Sequence, residues 1–128
     1  MSNYFILTAM VFLHIIDDYV LQAPCLCNLK QKSFWEKNAP EKLYEKDYVC
    51  ALLMHGFSWA FMIMLPIAIA RGFNVNINFL IMLAINASLH AEIDDSKANK
   101  LAINLCTDQT YHIEQICMTF MLYLIGAI

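Results

Sequence analysis

Charged residues are scarce in this chain of 128 residues, of which 15% are Asp, Glu, Lys or Arg and 60% are hydrophobic. Glycine and proline are scarce as well, with three of each. The length predicts a single domain, but a soluble domain normally carries about 25% charged residues. The composition therefore disfavours an ordinary soluble fold.

Other absences narrow the function. The first apolar segment lacks a basic start, and the residues before Cys25 form a poor processing site, so we do not expect a cleaved signal peptide. There is no glycine-rich phosphate loop, GxSxG turn, HExxH motif or internal repeat. The net charge of -3 argues against nucleic acid as a partner. Five cysteines, an odd number, favour free thiols over a disulfide framework.

The charge-free run at residues 48–70 is long enough to cross the hydrocarbon core of a bilayer, which is about 30 Å thick. Three further apolar stretches carry polar groups toward one end. We predict an all-α protein, a bundle of four transmembrane helices with one basic amphipathic connector. The helices are expected at about residues 3–22, 47–70, 75–97 and 101–127, and the connector at 23–46. Its lysines and aromatic residues are most simply a solvated connector with an aromatic anchor in the headgroup region.

The lysines predict the orientation of this bundle. Five of the eight Lys and Arg residues lie in the connector, and Lys97 and Lys100 lie near the turn between the third and fourth helices. Only Arg71 lies on the other side. The positive-inside bias then predicts a multi-pass protein of the cell (inner) membrane with both termini outside the cytoplasm. The lipid bilayer is its expected partner, and the small size leaves a homo-oligomer open.

Each predicted helix contains one histidine. These are His14, His55, His90 and His112. Counting inward from the cytoplasmic ends at about 1.5 Å per residue places all four at a similar depth. Three of them have an aspartate four residues away, on the same helix face. These are Asp18, Asp94 and Asp108. The order is His then Asp in the first and third helices but Asp then His in the fourth, as antiparallel packing requires if each residue type forms one layer.

Such a layer favours a metal site, because an uncompensated charge in hydrocarbon costs several kcal/mol and because imidazole with carboxylate suits zinc, iron, manganese or nickel. We expect one or two divalent metal ions, most simply zinc. The candidate metal ligands are His14, Asp18, His55, His90, Asp94, Asp108 and His112. With two ions the ligands would be shared, whereas with one ion the surplus carboxylates would orient the histidines.

Two assignments stay open at this level. A buried histidine bonded to an aspartate one turn away is more often a structural pair than a functional site. Asp17 lies near the face of His14, so spacing alone does not decide whether Asp17 or Asp18 is the ligand.

Neighbouring residues are interpreted by helical phase. Lys97 shares the face of His90 and would pair with Asp94 or stabilise an anion, although a lysine at a helix end more often snorkels. The methionines and aromatic residues of FSWAFMIMLP (57–66) are interpreted as lipid-facing or packing residues. Three acidic residues are expected to face away from the histidines. They are Glu92, Asp95 and Glu114.

Three stretches resemble a family of bacterial and phage membrane proteins, domain of unknown function 3307. HIIDDYVLQ (14–22) is similar to the family's HLLADFxLQ, HAEIDDSK (90–97) to HxxIDxxK, and DQTYH (108–112) to DQxxH. The resemblance implies a polytopic membrane protein whose matching positions form one site, but no activity. Those positions are His14, Asp18, Gln22, His55, His90, Asp94, Lys97, Asp108, Gln109 and His112. Asp17 departs from the family, which usually has a small residue there.

We therefore expect a membrane-embedded metal-dependent hydrolase that acts near the cytoplasmic leaflet on a lipid, lipid-linked or membrane-peptide substrate. Asp108 and Asp18 are the expected proton acceptors, and Lys97 is the expected cation for the developing anion. The alternatives are a proton or divalent-cation transporter that uses the same layer and a non-enzymatic membrane protein with a structural metal.

Overall fold

The chain is α-helical in a computed structural model, which describes residues 1–22 and 24–128. The helices are α1 (Asn3–Ile16), α2 (Pro24–Leu29), α3 (Lys32–Asn38), α4 (Asp47–Ala70), α5 (Ile77–Ala98) and α6 (Leu105–Leu124). A π-helical turn, Asp17–Leu21, continues α1, and a 3-10 turn, Lys42–Tyr44, precedes α4. The described residues contain no strand, so the prediction of an all-α fold is confirmed.

Asparagine side chains set where the last two long helices begin. Asn76 accepts a hydrogen bond from the Phe79 N–H at 2.9 Å, and Asn104 accepts one from the Thr107 N–H at 2.9 Å. Each satisfies an N–H that has no partner within its helix. The helix expected at 101–127 consequently begins at Leu105, because Leu101 has a left-handed backbone (φ 52°) and Asn104 is the cap.

The other three long helices, α1, α5 and α6, all contact α4. Their directions alternate, because the histidines near the ends of α1 and α5 meet those near the starts of α4 and α6. Gly56 permits the close approach of α4 to α5, since a Cβ there would lie 2.3 Å from the carbonyl oxygen of Ala87. Small residues at such contacts allow two helix backbones to come together.

The two ends of this bundle differ in their interior. One end, called here the apolar end, is filled by hydrophobic side chains. They include Ile6, Met10, Ile63, Ile67, Phe79 and Phe120. The opposite end buries the His/Asp cluster. Its members are His14, Asp17, Asp18, His55, His90, Asp94, Asp108 and His112.

Two helical segments are long and apolar enough to cross a membrane, by length and composition alone. They are Asn3–Leu21 and Lys42–Ala70, which correspond to the first two of the four predicted spans. The helices α5 and α6 have 22 and 20 residues, enough to cross a bilayer. They fall short of the same criterion in composition, since they carry the remaining polar residues of the cluster.

Candidate metal centre

All four histidines meet inside the bundle. The ring centroids of His90 and His112 are 4.3 Å apart, those of His55 and His90 are 4.9 Å apart, and those of His14 and His112 are 5.6 Å apart. Each of the four residues is at most 2% exposed. Burial of four imidazoles in one place needs partners for their nitrogen atoms, because an unpaired buried polar group is costly.

The π-helical turn brings two consecutive aspartates to this place. Asp17 Oδ2 lies 3.6 Å from Nδ1 of His55, while Asp18 Oδ1 lies 3.5 Å from Nε2 of the same ring. The two carboxylates therefore flank His55 from opposite edges. Ser58 Oγ donates a hydrogen bond of 2.7 Å to Asp17 Oδ1. Asp18 is thus the carboxylate that faces the other histidines, and Asp17 is placed to orient His55, as carboxylates behind metal-binding histidines do.

A first ligand group consists of Asp18, His55, His90 and Asp94. His55 Nε2 lies 3.5 Å from Asp18 Oδ1 and 3.6 Å from Asp94 Oδ2. His90 Nε2 lies 3.9 and 3.7 Å from the same two oxygens. These distances are too long for hydrogen bonds, and Asp18 Oδ1 and both Nε2 atoms are buried without a partner. Ligands of a tetrahedral zinc ion, each about 2.1 Å from the metal, are separated by about 3.4 Å.

A second ligand group lies beside the first. His112 Nε2 is 3.6 Å from Asp94 Oδ1 and 3.6 Å from Asp108 Oδ1. His112 Nε2 and Asp108 Oδ1 are likewise buried without a hydrogen-bond partner. The two groups adjoin, because ligand atoms of His90, Asp94 and His112 all lie within 4.8 Å of one another.

His14 differs from the other three histidines because both of its nitrogens are engaged by the protein. Trp59 Nε1 donates a hydrogen bond of 2.8 Å to His14 Nδ1. Nε2 must then carry the ring proton, and it faces Gln109 Oε1 at 3.1 Å. His14 therefore belongs to the cluster as a polar support, while the ligand groups described above leave it out.

The connector supplies a cation to the centre. Lys30 is only 8% exposed, and its Nζ lies 2.5 Å from Asp94 Oδ2. With its amide oxygen toward Lys30, Gln22 accepts a hydrogen bond from the same Nζ. Asn99, after α5, fixes this turn, since it donates to the Lys30 carbonyl at 3.0 Å and accepts from the Lys32 N–H at 2.7 Å. The interpretation of the connector lysines as solvated is therefore wrong for Lys30.

Lys97 pairs with Asp108, not with Asp94. Its Nζ lies 2.7 Å from Asp108 Oδ2, and its side chain is 40% exposed. Gln109 Nε2 donates to the same oxygen at 3.1 Å and faces Asp18 Oδ2 at 3.4 Å. The partly exposed Lys97 consequently lies between the buried Asp108 and the surface on this side of the cluster.

The acidic residues that helical phase places away from the histidines do lie elsewhere. Glu92 and Asp95 both bind Lys100, beyond the end of α5. The Lys100 ammonium donates to both carboxylates, and these contacts, first the one with Glu92 and then the one with Asp95, raise the pKa of Lys100. Glu114 is exposed on α6.

Sequence reasoning missed three residues of the centre. Trp59 is fully buried, stacks on His90 with ring centroids 4.3 Å apart, and binds His14. Its spacing of four residues from His55 was a usable signal, as was the spacing of three for Ser58. The assignment of Trp59 to the lipid-facing or packing residues is corrected to this extent. Lys30 had no such signal among the connector lysines.

No protein-family model, curated protein or solved structure matches the chain. Function is therefore inferred from the side chains of the centre.

Proposed function

We propose that the chain is a membrane-embedded metal-dependent hydrolase whose His/Asp centre lies near the cytoplasmic leaflet. One observation carries the proposal: Asp18 Oδ1, Asp108 Oδ1 and the Nε2 atoms of His55, His90 and His112 are buried without hydrogen-bond partners and lie near one another at separations close to those of metal ligands. Leaving a buried polar group unsatisfied costs about 1–3 kcal/mol. An ion that these atoms bind together removes that cost, and their nitrogen and oxygen chemistry suits zinc.

The distribution of residues on α5 and α6 supports four membrane spans. Both helices bury polar side chains and expose apolar ones, which is the reverse of a helix in a soluble bundle. The buried residues are Asn86, His90, Asp94, Asp108, His112, Gln115 and Thr119. The exposed residues include Leu80, Ile81, Ile85, Leu89, Met118, Met121 and Leu124. Polar groups inside the bundle therefore contribute to the low hydropathy of these two helices, together with exposed charges such as Glu92 and Glu114.

The cations support the proposed orientation. Lys30, Lys97 and Lys100 lie at the end of the bundle that holds the cluster, whereas Arg71 follows α4 at the opposite end. The positive-inside bias puts the lysine-rich end in the cytoplasm. Both termini then lie outside the cytoplasm, in a protein of the inner membrane.

Access to the cluster favours an enzyme over a structural metal site. A structural zinc is enclosed by four protein ligands, whereas a catalytic zinc keeps a position for water or substrate. Here Lys97 is 40% exposed beside the fully buried Asp108. An approaching substrate would meet Lys97 and Gln109 before it meets the ligands.

The chain's own residues divide the work of hydrolysis. Bound zinc would acidify a water molecule and polarise the scissile group. Asp18 is suited to accept the proton, because its Oδ2 has only long contacts, 3.4 Å from Gln109 Nε2 and 3.5 Å from His14 Nδ1. Lys97 and the Gln109 amide are placed to stabilise the anion that develops. Asp108, fully buried with Oδ1 unpartnered, is better suited to bind metal than to move a proton.

A substrate at this depth must itself lie in the membrane, so we propose a lipid, a lipid-linked intermediate or a membrane peptide. Membership of the domain of unknown function 3307 family is proposed with it. The three motifs behind that resemblance contribute Asp18, His90, Asp94, Asp108 and His112 to the ligand groups.

The test uses the full chain in vesicles of phosphatidylethanolamine and phosphatidylglycerol, with a synthetic transmembrane peptide as a second probe. Zinc content is measured first, and products are then followed by mass spectrometry. We expect stoichiometric zinc and a product whose release stops on chelation and resumes when zinc is returned. His90→Ala should lose both zinc and product, while the exposed control Glu114→Gln should keep both.

Two outcomes would overturn this function. One is a wild-type protein without stoichiometric zinc, or a His90→Ala variant that binds no less than wild type. The other is a zinc protein without turnover on either probe, in which chelation only melts the helices. That second result would assign the metal a structural role.

Transport by the same layer is the second candidate, and a deeper polar group favours it. Asn86 Nδ2 donates to Thr119 Oγ1 at 2.9 Å, and Gln115 Nε2 donates to Asn86 Oδ1 at 2.9 Å. These residues extend the polar line of His90 and His112 toward the apolar end. There the core is packed with residues such as Ile67 and Phe79, which leaves no polar continuation. Proton or zinc flux into liposomes that Asp108→Asn abolishes would promote this candidate over the hydrolase.

A further inference from the structure

We propose that the centre holds two divalent cations with unequal numbers of protein ligands, bridged by the carboxylate of Asp94. The inference rests on the proposed function and adds the number of ions and the role of each. It follows from the different partners of the two Asp94 oxygens.

Asp94 Oδ2 faces His55 Nε2 at 3.6 Å and His90 Nε2 at 3.7 Å. Oδ1 faces a different histidine, His112, with its Nε2 at 3.6 Å. A carboxylate whose oxygens address separate ligand groups is the arrangement that bridges paired ions, which lie about 3.5–4 Å apart in hydrolytic two-metal sites. A single ion bound by one oxygen of Asp94 would leave the opposite histidine without a partner.

The first ion position has four candidate protein ligands. They are Asp18 Oδ1, His55 Nε2, His90 Nε2 and Asp94 Oδ2, and four is the number of ligands in a tetrahedral structural zinc site. Lys30 Nζ also contacts Asp94 Oδ2, at 2.5 Å. An ion here has no place for substrate, so its role is to hold α1, α4 and α5 together and to fix Asp94.

The second ion position is equally buried, but it has one candidate protein ligand fewer. Asp94 Oδ1, Asp108 Oδ1 and His112 Nε2 supply three protein ligands, which is the number typical of a catalytic zinc that also binds water or substrate. The half-exposed Lys97 lies directly beside it, on Asp108 Oδ2 at 2.7 Å. The reacting water and substrate are therefore assigned to this position.

Charge balance indicates the class of substrate. Four carboxylates surround the centre, and two ammonium groups are paired with them. The carboxylates are Asp17, Asp18, Asp94 and Asp108, and the ammonium groups are Lys30 and Lys97. The four carboxylates and two ammonium groups together have a net charge of -2, which one divalent cation neutralises. A second divalent cation gives the centre a net positive charge, which suits a bound hydroxide and an anionic substrate. A phosphate ester in a lipid headgroup combines that charge with the depth of the site.

Metal counting tests the pair directly. Purified full-length protein is stripped with chelator, reloaded with zinc, and analysed for zinc per chain, with helical circular dichroism recorded on every sample. We expect two ions in wild type, one in His55→Gln, one in His112→Gln, and at least a hundredfold weaker binding of both in Asp94→Asn. Glu114→Gln is the matched control, because Glu114 is exposed on α6 and is not a proposed ligand. It should keep two ions.

Manganese provides a measurement that needs no variant to fold. Two Mn²⁺ ions bridged by Asp94 should give a spin-coupled electron paramagnetic resonance spectrum in wild type at two equivalents. The same protein loaded with one equivalent should give the signal of isolated Mn²⁺. Uncoupled ions at two equivalents would overturn the bridge.

The remaining outcomes separate this inference from the proposed function. One zinc per chain with turnover would overturn the pair and leave the hydrolase. Two coupled ions without turnover on any phospholipid would support the pair and overturn the hydrolase. Loss of an ion in Glu114→Gln, with His112→Gln unaffected, would overturn the ligand assignment.

Discussion

The two ends of the bundle are built by the same four helices but solve different problems. At the apolar end, side chains such as Ile63 and Ile67 are fully buried against other hydrophobic groups. At the opposite end, the His/Asp cluster is equally buried, yet many of its nitrogen and oxygen atoms have no partner. The comparison teaches that the apolar end supplies helix packing, while the cluster end holds polar atoms in positions that the proposed ions would satisfy.

The largest effect is expected at Gly56, where α4 and α5 approach each other closely. Gly56→Leu should lower the free energy of unfolding by about 3 kcal/mol, the upper end of the overpacking range, because even a Cβ would lie 2.3 Å from the Ala87 carbonyl. It should also abolish zinc binding, since α4 and α5 carry His55 and His90. Chemical unfolding and zinc analysis measure the two effects.

Ala84→Leu is the matched control, because Ala84 is exposed on α5. It should change neither quantity. A Gly56→Leu protein with normal stability and full zinc content would show that the close helix contact does not set the spacing of the ligands.

The same comparison explains how far the sequence predicts the structure. The all-α fold and the meeting of four histidines follow from apolar runs and four-residue spacings, which are local signals. The π-helical turn at Asp17–Leu21 has no such local signal in the sequence. It places Asp17 at the Nδ1 edge of the His55 ring and Asp18 at the Nε2 edge, an arrangement that spacing alone does not predict. The burial of Lys30 depends on Asn99, 69 residues away in the chain, so only the folded structure reveals it.

A second test alters the apolar end alone. Ile63→Ala should lower the free energy of unfolding by about 2 kcal/mol, at the low end of the range for such core substitutions. The low value is expected because lipid is as apolar as the core, so mainly packing is lost. Zinc content should stay at the wild-type value, and Ile69→Ala, at a position 47% exposed on the same helix, should change neither quantity. Loss of zinc from folded Ile63→Ala would show that the two ends are not independent.

The smallest effect is expected at the edge of the cluster end, behind His55. Ser58→Ala removes the hydrogen bond of 2.7 Å to Asp17 and leaves every proposed ligand in place. Zinc affinity should fall about tenfold, as is typical when a residue that orients a metal ligand is altered. Competition with a chromophoric chelator measures the change. Ser88→Ala is the control, because the exposed Ser88 hydroxyl bonds only to the Ala84 carbonyl of its own helix. Equal zinc affinity in the two variants would mean that Asp17 orients His55 without help from Ser58. The position of the Asp17 carboxylate would then be set by the π-helical turn alone.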